Sequence, residues 1–190
     1  RSTGTIALAG AASLATPGYS RSYGDSQSTT TVSAGAGTVN LVSLTGDIVL
    51  PSTTSITVDN GTGNAGRLNL LADEGAITFA ATLNKGVTGT RGASLTFDSG
   101  KSAFDLDGFA TQYGTLFTGD LEVRSGLGNL ALGSGHKLAG STITLVADGG
   151  QVDIAGTLDT SGADLSKLTA TAASSARVDG GAVALWGMNG

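Results

Sequence analysis

The chain has 190 residues, 31 of them glycine, with 39% hydrophobic and only 13% charged residues and a formal net charge of −5. That balance argues against a phosphate-binding surface and hence against nucleic acid, and the lack of cysteine excludes a disulfide framework and thiolate metal sites. No apolar run approaches the roughly 20 residues that cross a bilayer as a helix.

The chain opens without an initiating Met or a signal-peptide pattern, going from Arg1-Ser2-Thr3-Gly4 directly into the strand-like Thr5-Ile6-Ala7-Leu8. From Val39 onward a unit recurs. Val39-Asn40-Leu41, Leu68-Asn69-Leu70, Leu95-Thr96-Phe97, Leu121-Glu122-Val123 and Ile143-Thr144-Leu145 each read apolar, polar, apolar, and each precedes a glycine turn. The turns are Leu44-Thr45-Gly46, Asp73-Glu74-Gly75, Asp98-Ser99-Gly100, Arg124-Ser125-Gly126, Asp148-Gly149-Gly150 and Asp179-Gly180-Gly181, with closing glycines 29, 25, 26, 24 and 31 residues apart. After the turns stand Ile48/Leu50, Ile77/Phe79, Phe104/Leu106, Leu130/Leu132, Val152/Ile154 and Val183/Leu185. Period-two alternation bounded by Gly, Asp and Ser predicts strands. A third apolar piece, as in Thr82-Leu83, Leu116-Phe117 and Thr157-Leu158, gives about three strands and three corners per repeat. In the turns, Asp is expected to accept local backbone hydrogen bonds while Gly takes positive φ.

Residues 68–84 can be laid on 143–159 at a constant offset of 75, three repeats of 25, which pairs Leu70 with Leu145 and Phe79 with Ile154. A fixed period in the twenties is the mark of stacked repeats, which close their apolar faces only against their neighbours. The expected fold is therefore all-β: a parallel β-helix, a solenoid with rungs of about 25 residues that spans 1–190 as one segment. Neither end carries a polar capping repeat, so the segment is expected to continue into further rungs of the same protein or to meet copies of itself end to end. Three stretches break the rhythm and are expected to loop out: 15–33, 107–118 and 161–177.

Candidate chemistry is sparse. The first loop places Tyr19, Arg21 and Tyr23 in a polar Gly/Ser setting, the best candidate contact patch for a glycan or a protein because Tyr and Arg are favoured anchors. Gly61-Thr62-Gly63-Asn64-Ala65-Gly66 satisfies GxGxxG, but a strand follows it where a dinucleotide loop opens a helix. His136 is read as an exposed loop residue without an evident catalytic partner. Asn60-Gly61-Thr62 is a glycosylation sequon, relevant only on eukaryotic secretion. Asp105 and Asp107, read as sharing the outward face of a strand, lie within the range of paired glycosidase carboxylates. Asp153 adds a third acid to that row. No cofactor or metal is expected.

The run Ile143-Thr144-Leu145-Val146-Ala147-Asp148-Gly149-Gly150-Gln151-Val152-Asp153-Ile154, its continuation to Gly162, and Gly180-Gly181-Ala182-Val183-Ala184-Leu185-Trp186-Gly187 resemble the repeat region of filamentous-haemagglutinin-type exoproteins. The resemblance is best over 39–190. It implies a right-handed β-helical shaft of a large Gram-negative adhesin that an outer-membrane partner exports by two-partner secretion. The Asn-Pro-Asn motifs of that family's secretion domain do not occur here, so the resemblance implies shaft rather than export signal. The leading expectation is thus a non-enzymatic, secreted, cell-surface structural segment holding adhesive regions, of unidentified receptor, away from the cell. The second is a carbohydrate-active β-helix, a lyase or hydrolase using Asp105, Asp107 and Asp153. Ice binding by Thr57, Thr78, Thr96 and Thr144 is weaker, because these threonines do not form one row.

Overall fold

A computed structural model describes residues 2–25, 27–58, 65–84, 92–161 and 181–188. Among these the fold is all-β with one short helix. In chain order the elements are β1 (Ile6–Ala7), β2 (Ser13–Ala15), β3 (Tyr19–Gly24), β4 (Thr29–Ala34), β5 (Thr38–Ser43), β6 (Ile48–Leu50), β7 (Ser55–Thr57), β8 (Arg67–Ala72), β9 (Ile77–Phe79), β10 (Thr82–Leu83) and β11 (Ser94–Ser99). Helix α1 (Leu106–Tyr113) follows, then β12 (Asp120–Ser125), β13 (Leu130–Leu132), β14 (Lys137–Ala139), β15 (Thr142–Ala147), β16 (Val152–Ile154), β17 (Thr157–Asp159) and β18 (Ala182–Gly187).

The apolar-polar-apolar triplets form the largest sheet, of six strands in the order β18-β15-β12-β11-β8-β5. Every pairing in it is parallel and without slip: Leu41 faces Leu70, Leu70 faces Phe97, Phe97 faces Val123, Val123 faces Leu145 and Leu145 faces Leu185. Leu70 and Leu145 are thus three pairings apart, as the offset of 75 requires. Strand alternation sends these residues inward, and Leu70, Val123 and Leu145 are fully buried. Two further sets of short parallel strands complete the repeats. One comprises β1-β6-β9 and, separately, β13-β16; the other comprises β2-β7-β10 and, separately, β14-β17.

Both sets are interrupted at the same repeat, because neither Phe104/Leu106 nor Leu116-Phe117, both expected as strands, forms one. Asp105 instead caps α1, its Oδ1 accepting from the Gly108 N–H at 2.9 Å, and Leu106, Phe109, Ala110 and Tyr113 make a short apolar stripe at helical spacing. All five phenylalanines are drawn to this place: Phe97–Phe104 centroids lie 4.5 Å apart, Phe104–Phe109 5.4 Å, Phe109–Phe117 5.7 Å, and Phe79 meets Tyr113 at 6.5 Å. Of the expected loops, 107–118 accordingly holds most of α1 and the buried Leu116 and Phe117. Residues 15–33 hold all but the last residue, Ala34, of the antiparallel hairpin β3-β4. Beyond Ser161, the stretch 161–177 lies outside the described residues.

The repeat glycines have a different role from the one expected. Positive φ occurs at Gly10, Gly24, Gly128 and Gly135, and at none of Gly46, Gly75, Gly100, Gly126 or Gly150. What the turns require is closeness: a Cβ on Gly75 would sit 2.0 Å from the Gly46 carbonyl oxygen, and one on Gly126 would sit 2.1 Å from that of Gly100. Gly66, the last residue of the GxGxxG sequence, belongs to a similar file before the strands, packed on the Gly37 carbonyl; residues 61–64 of that motif lie outside the described residues. The turn aspartates also differ. Asp98 and Asp148 reach across to Arg124, at 3.2 and 2.8 Å. Every ion pair among the described residues joins different repeats, Arg67–Asp120 (2.8 Å) and Lys137–Asp159 (2.5 Å) included.

Asp120 gives this layer a pH dependence. Its carboxylate accepts from Thr142 Oγ1 (2.8 Å), Arg67 Nη2 (2.8 Å) and Ser141 Oγ (3.2 Å). These bonds, the Thr142 hydroxyl first, hold its pKa below the ordinary 3.8. A depressed folded-state pKa contributes stability above pH 3.8 that is lost as pH falls through the folded value. The melting temperature is therefore expected to fall as the pH drops below 3.8, and Asp120→Asn to lower it at pH 7 while flattening that acid slope, as pH-dependent thermal melts would record.

Candidate functional site

The hairpin β3-β4 carries the tyrosine and arginine patch. Its turn is held by Asp25, whose Oδ1 accepts from the N–H groups of Gln27 (2.9 Å) and Ser28 (3.0 Å), bonds that lower its pKa. Tyr19, Arg21 and Tyr23 are alternate residues of one strand and so share one face. Tyr19 and Tyr23 are 61% and 53% exposed, and the Arg21 guanidinium carbon lies 5.2 Å from the Tyr23 ring centroid. The cross-strand register places Thr30, Val32 and Ala34 beside Tyr23, Arg21 and Tyr19 on that face. The opposite face is hydroxylic, with Ser22 and Thr31 joined at 2.8 Å. The structure thus brings the three predicted residues into a row and adds Val32, half exposed. The run Thr29-Thr30-Thr31-Val32, β-branched throughout and just past Gly24-Asp25, is a hairpin signal that sequence reasoning left unused.

The acidic candidates do not converge as expected. Asp105 and Asp107 share no strand face: Asp105 is the N-cap of α1 and lines an aromatic cavity beside β9, while Asp107 lies in the first helical turn and lines a different, shallow cleft with Asp153. Asp107 has a partner that was not foreseen, His136, whose Nδ1 lies 3.1 Å from Asp107 Oδ1. The same oxygen accepts from the Gly133 N–H at 2.7 Å. The helix is the cause, for it turns Asp107 towards the 133–136 turn, a contact that no spacing in the chain announces. His136 is half-buried here rather than exposed.

Among the described residues no group of three or more His, Cys, Asp or Glu is placed to hold a metal ion, and no helix is long and apolar enough to cross a membrane. Thr96 and Thr144 lie on the outward side of the large sheet with Glu122 between them, and Thr57 and Thr78 belong to other strands. The chain matches no protein-family profile, and comparison with curated proteins and with solved structures finds no match.

Proposed function

We propose that the chain is a length of right-handed parallel β-helical shaft: a stiff, non-enzymatic solenoid segment of a secreted bacterial adhesin or fibre, carrying its binding elements as insertions. The observation that carries this reading is the unslipped parallel register of the six-strand sheet, in which each strand pairs with its equivalent in the next repeat. Stacking of that kind makes length without a closed core, which suits a spacer. The hairpin bearing Tyr19, Arg21 and Tyr23 fits the role of an exposed contact element, since Tyr and Arg are enriched among the side chains that anchor partners. The resemblance to filamentous-haemagglutinin-type exoproteins supplies the extracellular setting and the outer-membrane export partner. At the strand edges of β5 and β18 the proposed neighbours are further rungs of the same protein or another copy. Val183 and Leu185, 44% and 46% exposed on β18, would be covered there.

A carbohydrate-active enzyme is the second reading, and the His136–Asp107 contact beside Asp153 favours it over other chemistries. Incubation with a panel of neutral and acidic polysaccharides, with and without calcium, separates the two. The shaft reading predicts no turnover; turnover abolished by Asp107→Ala would replace it.

A further inference from the structure

In the strand set that holds β9 and β13, two edges face the break that α1 makes. On the β13 side the Gly133 N–H, just past the strand, is taken by Asp107 Oδ1 at 2.7 Å. On the other side β9 ends the sheet β1-β6-β9. The Ile48 N–H donates to the Ala76 carbonyl and the Ala80 N–H to the Leu50 carbonyl, which fixes the groups that point towards β6. Alternation then turns the Ile77 carbonyl and both backbone groups of Phe79 the opposite way. The Ile77 N–H on that side finds Ser102 Oγ at 3.2 Å. Past Ser102 the chain leaves β9, and a cavity of about 450 Å³ opens between β9 and α1. Its walls include Ile77, Phe79, Phe97, Phe104, Phe109 and Tyr113, and the exposed Asp105 and Gln112 also line it.

We propose that this slot takes an extended peptide from a partner protein, which adds to β9 as the next strand of β1-β6-β9. Three features select that occupant. Unpaired strand N–H and C=O groups are matched by another backbone, the basis of recognition by strand addition. The occupant continues a parallel sheet already built at about 4.8 Å spacing. Its side chains alternate, one set entering the aromatic wall and the other meeting Asp105. Asp105 uses Oδ1 on the Gly108 N–H and leaves a negative charge beside the slot, so apolar residues alternating with basic ones fit best.

The test uses two five-residue probes with blocked termini, Val-Lys-Val-Lys-Val and Val-Glu-Val-Glu-Val, titrated into nitrogen-15-labelled protein. The lysine probe is expected to shift the Phe79 amide resonance, to slow its hydrogen exchange, and to bind several-fold tighter than the glutamate probe. Asp105→Asn keeps a helix cap and should erase that preference. Ala80→Trp, at an exposed position lining the cavity, should abolish binding with the thermal melt retained. Slow exchange of the Phe79 amide in the free protein would overturn the proposal without recourse to any variant. So would the absence of binding by the lysine probe at millimolar concentration, or binding that a folded Ala80→Trp leaves intact.

Discussion

Leu145→Asp is expected to abolish the cooperative melt. Leu145 is fully buried, with Val123 and Leu185 facing it on the two neighbouring strands. Removing the side chain from this ladder forfeits about 1.5–3 kcal/mol of burial. Placing an unpaired carboxylate among apolar neighbours costs several kcal/mol more, even when the group responds by taking up a proton. Against a total stability of roughly 5–15 kcal/mol for an ordinary domain, the loss is decisive. Thr144→Lys supplies the contrast one residue away. Thr144 lies on the outward row beside Glu122, and the change should alter stability by no more than about 0.5 kcal/mol. Circular dichroism melts of both variants check the assignment, because a register shifted by one residue would exchange their behaviours.

Gly75→Ala should be strongly destabilising for a one-carbon change. The added methyl would meet the Gly46 carbonyl oxygen at 2.0 Å and its carbon at 2.6 Å, and both are backbone atoms of the adjoining turn that no rotamer change can move aside. Overpacking of this kind costs about 3 kcal/mol. Gly4→Ala is the control, with nothing within 4 Å of the added carbon, and it should be neutral within about 0.5 kcal/mol. Denaturant titration of the pair would separate the two causes that a repeated glycine can have. A Gly75→Ala variant as stable as the parent would mean that the turns do not stack at this distance.

Much of the fold was legible because stacking imposes the same demand on every repeat. The triplets ending in Leu41, Leu70, Phe97, Val123 and Leu145 alternate in the sequence because each has one side in the core and the next in solvent, and the structure pairs them in that order. The extrapolation from Leu70/Leu145 to Phe79/Ile154 did not carry through. β9 and β16 belong to separate sheets, with α1 in between. A repeat rule cannot foresee where one repeat departs from it, although local signs were present: Asp105 as a cap, Leu106, Phe109, Ala110 and Tyr113 at helical spacing, and phenylalanines confined to 79–117. An eight-residue helix is too short for a periodicity search tuned to longer stripes. The hairpin patch was half legible. Tyr19, Arg21 and Tyr23 stand out by type, but their common face depends on strand pairing with 29–34, which only the structure supplies. His136–Asp107 was not legible at all, being a contact between a turn and a helix that was itself unforeseen.

Spin labels at Asn40 and Ala184 test the stacking most directly, and the chain's lack of cysteine makes their placement clean. Both residues lie on the outward row, on β5 and β18, at opposite edges of the six-strand sheet. Five intervals of about 4.8 Å separate their strands. Dipolar electron paramagnetic resonance on the Asn40→Cys/Ala184→Cys protein should therefore give one distance distribution centred near 24 Å. A centre below about 15 Å, or several resolved populations, would contradict the parallel stack on which the shaft reading stands.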